Sequence, residues 1–357
     1  MSKKLYQGKR MAAIVVIVLA MLVGIMPWCI KKTSAQPAKP VTLIFESFVP
    51  PSPPVEFAKA FGKGLEDATG GMFKTEYHIG GSMGPPGETP THLIKGICDW
   101  AEFNPGYTPG MFPMSEIFEL PIVYPTAEVI SRAMLAMYKK GYFDKEFADI
   151  KFLWFYGIGP YQLFSNKKAT TVAEIKGLKI RCPHDGFVAM SKALGGVPVT
   201  VKGVELYTAM QKGITDTTWA CGDMADAFKL REVSKYVIMT DIGNAVMAFG
   251  MNRKVFDGLP QAGKKWIEDN SESFYVSSGK RFTETNALGI ENARKAGAEI
   301  YALSDAEMVK LHAALVPLFD KWVAEKEAKG LPAKKALSDL YQILRDLGVK
   351  NPFPAPK

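Results

Sequence analysis

The sequence predicts an α/β protein of two lobes. Three observations carry that expectation: strands and helices alternate along the chain, the alternation comes in two successive series, and one proline-free helical stretch is too long for a single lobe. A length of 357 residues accommodates two domains of ordinary size, each with its own core.

The first series opens with an apolar strand, Val41 to Phe45, and a proline-rich turn from Pro50 to Pro54. Ala58, Phe61, Leu65 and Ala68 then recur at helical spacing, and Gly70-Gly71 ends that helix. Phe73, Thr75, Tyr77 and Ile79 alternate with Lys74, Glu76 and His78, the period of a half-buried strand. A helix near Thr89 to Ile97, a strand from Asp99 to Phe103, a helix from Ala127 to Tyr138 and a strand from Ile150 to Tyr156 complete the series. The second series runs through strand Leu178 to Cys182, helix Phe187 to Leu194, strand Val197 to Val201, helix Val204 to Lys212, strand Thr215 to Ala220 and helix Met224 to Leu230. Such alternation predicts parallel sheets covered on both faces. From Pro260 to about Ala302 no further proline interrupts the chain. A helix there would run roughly 60 Å at 1.5 Å per residue and would lie across both lobes. Two more helices are expected near Asp305 to Glu327 and Pro332 to Leu347.

Lys3, Lys4, Lys9 and Arg10 precede the apolar run Met11 to Met26, and Thr33-Ser34-Ala35 supplies small residues before Gln36. Residues 1–35 therefore read as a signal peptide, which puts the mature chain in the periplasm. An uncleaved anchor is the alternative, because Met11 to Ile30 is long enough to span a bilayer and Lys31 and Lys32 flank it. Trp28 is too bulky to precede a lipid-modified Cys29. Removing Lys3, Lys4, Lys9, Arg10, Lys31 and Lys32 leaves 38 of the 44 basic residues against 36 acidic ones, so the basic charge belongs mainly to the leader. A nearly neutral mature chain without a basic stripe excludes a nucleic-acid partner. Cys98, Cys182 and Cys221 are too few and too scattered for a disulfide framework or, with the dispersed histidines, for a metal site. Cys182 and Cys221 are the one candidate pair, and buried apolar thiols are the simpler reading. No cofactor is implied.

Gly80-Gly81-Ser82-Met83-Gly84 matches the G-x-S-x-G pattern of a hydrolase elbow and follows a strand, which makes Ser82 the nucleophile of an alternative esterase reading. Pro85-Pro86-Gly87 breaks the helix that such an elbow must enter. Gly157-Ile158-Gly159 begins a dinucleotide fingerprint, but Gln162 stands where its third glycine belongs. A lyase using Glu102 and His184 is a further alternative, although neither residue has an evident orienting group. Arg181 ends a predicted strand, and ligands of open α/β sheets bind beyond the carboxyl ends of strands. A guanidinium there can grip a carboxylate through two parallel hydrogen bonds.

The run Ile175-Lys176-Gly177-Leu178-Lys179-Ile180-Arg181-Cys182-Pro183, then Ala193 to Thr200, then Glu205 to Asp216, resembles the extracytoplasmic solute receptors of TRAP transporters, the DctP-like family. The similarity extends from the strand at Val41 through Glu119-Leu120-Pro121 to the C-terminal helices. The resemblance implies a two-lobe periplasmic binding protein fold with crossing strands and a long bracing helix. It places residues 40–160 and about 243–285 in the N-terminal lobe, and 161–242 and about 286–347 in the C-terminal lobe. It further implies a receptor, not an enzyme, that captures a small organic anion and hands it to integral membrane subunits driven by an ion gradient. Arg181 matches the arginine that binds the ligand carboxylate, Glu102 an acidic pocket position and Ser47 a polar one. Phe103 and His184, beside Glu102 and Arg181 in the chain, join the candidate ligand-binding set.

Departures from the family pattern bear on the ligand. Asp216-Thr217-Thr218-Trp219-Ala220 lacks the asparagine found at its end in relatives, Gly203 stands for a pocket phenylalanine, and Tyr161 stands for a second arginine. Lost polar partners, space at Gly203 and flat walls from Trp219 and Tyr161 predict a monoanionic carboxylate, or a sulfonate, with an apolar or aromatic body. A dicarboxylate receptor is the alternative within the family.

Overall fold

The computed structural model describes residues 40–201 and 203–350, so the expected leader and its cleavage site lie outside the described residues. Two sheets organise the chain. β1 (Val41–Ser47), β2 (Phe73–His78), β3 (Trp100–Phe103), β4 (Ile150–Gly157) and β10 (Val246–Asn252) form the first, in the order β2-β1-β3-β10-β4. β5 (Tyr161–Ser165), β6 (Lys179–Arg181), β7 (Val197–Val199), β8 (Thr217–Ala220), β9 (Tyr236–Ile242) and β11 (Glu299–Ala302) form the second, in the order β11-β9-β5-β8-β6-β7.

Both sheets are mixed, which corrects the expectation of parallel ones. β1 pairs parallel with β2 and β3, but β10 is antiparallel to β3 and β4. β6 is parallel to β7 and β8, but β5 is antiparallel to β8 and β9. The reason lies in the connections: β4 runs straight on into β5, and β9 into β10, so the chain passes from sheet to sheet without a covering helix. A strand that arrives this way need not follow the right-handed crossover that keeps βαβ units parallel.

The helix Gln261–Lys295 has 35 residues and is about 52 Å long at 1.5 Å per residue. It stops short of the expected Ala302, because Gly297 takes a φ of 95° and turns the chain into β11, which pairs parallel with β9. The buried face of this helix includes Gly279, Phe282, Asn286 and Gly289. Gly279 lies against Glu128 and Ser131 of the first lobe, and Gly289 lies against the Gly222 carbonyl of the second. Small residues at both crossings let one helix brace both lobes.

Each sheet has its own core. Trp154 stacks on Phe249 with ring centroids 4.1 Å apart in the first, while Leu163, Ile180, Phe187 and Trp219 fill the second. The helix Asp305–Glu327 serves both, with Leu311 and Leu315 in the second core and Phe319 and Trp322 in the first. The helix Ala333–Asp346 packs Leu337, Leu340, Tyr341 and Leu344 into the first core, whereas the expected division puts residues 286–347 with the second lobe. Its apolar stripe was legible, but a stripe does not say which sheet it covers. Cys98, Cys182 and Cys221 are free and buried. Among the described residues no helix is long and apolar enough to cross a membrane.

A Cβ at position 289 would fall inside the van der Waals envelope of the Gly222 carbonyl oxygen. Gly289→Ala is therefore expected to lose about 1 to 3 kcal/mol of stability in urea unfolding, as overpacking does. A variant as stable as the parent would show that Gly289 and the Gly222 carbonyl are not in contact.

Candidate functional site

The Gly177 turn, at φ 80°, feeds the short strand β6, whose last residue is Arg181. Ile180 anchors the strand in the core, so the following side chain points to the other face of the sheet. Arg181 is only 5% exposed. Its Nε donates to the Val201 carbonyl at 3.1 Å, and its buried Nη1 has no partner. No acid among the described residues forms an ion pair with it. Burial alone pushes its pKa down, while the hydroxyls of Tyr161 and Tyr107 oppose that shift.

His184 begins the helix Asp185–Ala193 and caps it, its Nδ1 accepting from the Gly186 N–H at 3.2 Å. An Nδ1 that accepts leaves the ring proton on Nε2. Burial, with the Arg181 charge nearby, pushes the His184 pKa down to about 4, so the ring is neutral at pH 7. Across from it, 3.5 Å from Nδ1, lies Oε2 of Glu119. Glu119 ends the 3-10 turn Ser115–Glu119 of the first lobe and rests on Gly106, where any side chain would collide with its carboxyl. Burial first, then the neighbouring Glu116 and Asp185, push its pKa up to about 8, against the pull of Lys326. Tyr107, which ends the preceding 3-10 turn Pro105–Tyr107, is near enough to both Arg181 and Glu119 for their charges to bear on it, as is Tyr161. Arg181 is thus a buried cation among neutral groups.

Ser47 and Glu102 stand opposite each other at the ends of β1 and β3. The Ser47 hydroxyl donates to Glu102 Oε2 at 2.6 Å, and the Tyr156 hydroxyl donates to Oε1. Burial pushes the Glu102 pKa up to about 7, partly offset by those two hydrogen bonds. Glu102 and His184 therefore have separate partners and form no acid–base pair for a lyase. Ser82 lies exposed in a turn that leads to no helix before Thr89, and no hydrogen bond joins it to a histidine among the described residues.

The other candidates divide. Tyr161 is buried beside Arg181, its ring 4.6 Å from Phe187 and its hydroxyl 3.3 Å from Met224 Sδ. Phe103 stacks on Phe112 at 5.4 Å inside the first core. Trp219 sits in the second core, its Nε1 donating to Ser191 Oγ at 3.0 Å. Gly203 lines a cavity of about 390 Å³ with Tyr207 and Phe228, and a Cβ there would lie 3.2 Å from the end of the Phe228 ring. Sequence reasoning missed Tyr107 and Glu119 as site groups; only Pro105-Gly106 before the tyrosine and Leu120-Pro121 after the glutamate marked ordered loops there.

The model of the family described as bacterial extracellular solute-binding protein, family 7 (DctP), matches residues 46–326. The C4-dicarboxylate-binding periplasmic protein DctP of Rhodobacter capsulatus is 25% identical over 329 residues, 89% of this chain and 97% of that protein. A TRAP solute-binding protein of an unidentified marine microbe, specific for aromatic acid ligands and solved with 3-hydroxybenzoate, superposes with a TM-score of 0.79 at 25% identity, over 87% of this chain and 99% of that one. A TRAP solute-binding protein of Rhodoferax ferrireducens, solved with copurified benzoate, superposes with a TM-score of 0.78 at 25% identity, over 86% and 98% of the two chains.

The raised pKa of Glu102 has a stability consequence of definite sign. The folded state holds a proton up to about pH 7 that the unfolded chain releases near 4.5. Its contribution is complete below the lower value and is lost as pH rises through the upper one. Glu102→Gln cannot ionise, so its urea-unfolding stability should fall less between pH 5 and pH 8 than that of the parent. Parallel losses in the two proteins would mean that Glu102 is already ionised at pH 5.

Proposed function

The chain belongs to family 7 of the bacterial extracellular solute-binding proteins, and from that premise we infer that it is the periplasmic receptor of a TRAP transporter for a small aromatic or apolar organic acid. It is a solute-binding protein and not an enzyme. The observation that carries the ligand reading is the buried Arg181, whose Nη1 lacks an acceptor and whose charge lacks a counter-ion among the described residues. A guanidinium taken out of water in this way is costly until an anion completes it.

In this reading the ligand carboxylate lies on Arg181, and Tyr161 and Tyr107 flank it. Residues 40–160 and about 243–285 make the N-terminal lobe, joined by the helix Ala333–Asp346. Residues 161–242 and the chain from about 286 make the C-terminal lobe. A ligand touching both shifts the population toward the closed state. An aromatic or apolar monoanion is favoured because Tyr107 and Tyr161 offer flat walls, and Arg181 is the one cation that either hydroxyl senses among the described residues. The relatives solved with 3-hydroxybenzoate and benzoate support that class. Ser47 and Glu102, hydrogen-bonded to each other and with Tyr156 also on Glu102, are the polar candidates of the first lobe in this reading. The closed receptor then docks on the integral membrane subunits of its transporter.

Calorimetric titration with benzoate, branched-chain acids, succinate, malate, sialic acid and a matched sulfonate tests the class. Benzoate-like acids are expected to bind tightest, and exclusive binding of a dicarboxylate or sugar acid would overturn the reading. Arg181→Ala should lose about 2 to 5 kcal/mol of binding with circular dichroism unchanged. Arg181→Lys should lose nearly as much, because an ammonium cannot form the planar fork. Near-parental affinity in either variant would remove Arg181 from the site. Mass spectrometry of the exported protein is expected to show a chain beginning close to Gln36, and a membrane-bound chain retaining Met1 to Ile30 would contradict a cleaved leader.

A further inference from the structure

Residues 80–88, which carry the G-x-S-x-G pattern, join a titratable cluster of the first lobe to the ligand site. At the end of this segment stands His92, on the helix Thr89–Lys95, with a carboxylate facing each of its ring nitrogens. Nδ1 lies 3.1 Å and 3.0 Å from the two oxygens of Glu46, and Nε2 lies 3.6 Å from Oε2 of Glu88. A neutral imidazole has one N–H and one lone pair, so it turns a lone pair on one of the two acids. Only the imidazolium presents an N–H to both. Glu46 is buried, and the Thr89 hydroxyl donates to its Oε1 at 3.0 Å. The Cys98 thiol, held protonated by burial and by the Glu46 charge, donates to it as well. Donors thus converge on an ionised carboxylate whose one ion-pair partner among the described residues is His92. The other titratable groups nearby are engaged elsewhere: Asp99 accepts the Ile44 N–H at 2.6 Å, His78, in register with Glu46, pairs with Glu76 at 2.9 Å, and Lys95 lies in the last turn of the helix.

Contacts along the segment lead from His92 to the site. A Cβ at Gly84 would lie 3.2 Å from both Glu88 Oε2 and His92 Cε1, so the turn rests on the pair itself. A Cβ at Gly87 would lie 3.0 Å from the Tyr107 carbonyl oxygen, so the same segment packs on the backbone of Tyr107. Its start is tied to β1 by the Gly81 N–H, which donates to the Ser47 carbonyl at 3.2 Å, and Phe48 of that strand end lies 5.6 Å from the Tyr107 ring. We propose that His92 is a positioning residue of this receptor, which as an imidazolium between Glu46 and Glu88 clamps the segment behind Tyr107 and so makes ligand affinity depend on pH. The inference rests on the reading of Tyr107 as a wall of the ligand site. Histidine is the side chain whose charge changes between about pH 5 and 8, so the clamp is made at the acid end of that window and released at the other. Release leaves Glu46 buried without its counter-charge and sets a lone pair against a carboxylate beneath Gly84. A site whose wall is in place for only part of the time binds with an affinity lowered by that fraction.

Hydrogen exchange followed by mass spectrometry reads the clamp without a ligand, and calorimetry with benzoate reads its effect on binding. Both are measured from pH 5.5 to pH 8.5 on the parent, Glu88→Gln and His92→Gln. In the parent, protection of peptides spanning residues 80–92 and 105–109, corrected for the intrinsic pH dependence of exchange, is expected to fall roughly three- to tenfold as pH rises, with a matching rise in the Kd for benzoate. Glu88→Gln gives the Nε2 lone pair an amide donor, and His92→Gln keeps a donor to Glu46 but cannot titrate, so both profiles should flatten in each variant. The Glu88 side chain is 59% exposed, which spares the fold in Glu88→Gln. Glu102 and Glu119 also titrate in this range, so the quantity read is the difference between parent and variant. Protection in the parent that follows the intrinsic rate, or profiles unchanged in both variants, overturns the role of His92 whatever benzoate does. Flattened exchange beside an undiminished pH dependence of benzoate affinity overturns it too, because the clamp then has no hold on the site. A parent that fails to bind benzoate defeats the aromatic reading of the ligand instead, and the exchange profiles decide the clamp.

Discussion

A guanidinium held out of water without a counter-anion is the constraint around which this site is arranged. Among the described residues Arg181 makes one hydrogen bond, to the Val201 carbonyl. The groups around it are uncharged: His184 and Glu119 by burial, Tyr107 and Tyr161 by their own high pKa values. An ionised carboxylate in any of those places would satisfy the arginine and close the site to an outside anion. Keeping the neighbours neutral leaves the desolvation cost of Arg181 unrelieved, and in the proposed reading a ligand anion relieves it. That difference between empty and occupied states is what a ligand needs to shift a conformational equilibrium.

Closure also needs connections between the lobes that bend without losing their backbone hydrogen bonds. The crossing segment after β4 is held from two directions. Asn286 of the long helix donates to the carbonyls of Ile158 and Gly159 at 3.0 Å each, and its Oδ1 accepts the Asp223 N–H at 2.9 Å. Asn244, in the other crossing segment, accepts from the N–H groups of Ile158 and Gly159, again at 3.0 Å. The segment after Glu119 adds a third tie, through Tyr124 N–H to the Asp241 carbonyl and Gly243 N–H to the Ile122 carbonyl. Side-chain amides replace sheet ladders here, so the backbone stays satisfied where no sheet continues. The Gly159 Cα lies so near the Gly243 carbonyl that a Cβ would meet it at 2.8 Å, which is why glycine serves in that crossing.

Readings that depended on a residue's immediate neighbours in the chain were legible from the sequence, and those that depended on distant ones were not. Arg181 at the end of β6 follows from local patterns. Phe103, Trp219 and Gly203 show the opposite case. Phe103 and Trp219 are on the right strands but sit in the cores, and Gly203 opens a cavity whose wall is Phe228, from another element. Glu119 and Tyr107 went unread because each ends a short 3-10 turn whose position is set by contacts far away in sequence, such as Glu119 with Gly186.

By itself the sequence determined the two α/β series, the long helix, the family and the arginine at the strand end, because hydrophobic period, turn residues and motif spacing are all local. Only the tertiary structure decided that the sheets are mixed, that the helix Ala333–Asp346 returns to the first core and that Glu119 comes to rest against His184 and Gly186. Burial of a charge, the exact partner of a buried oxygen and the filling of a gap are sums over contacts from distant segments. No window of sequence contains them.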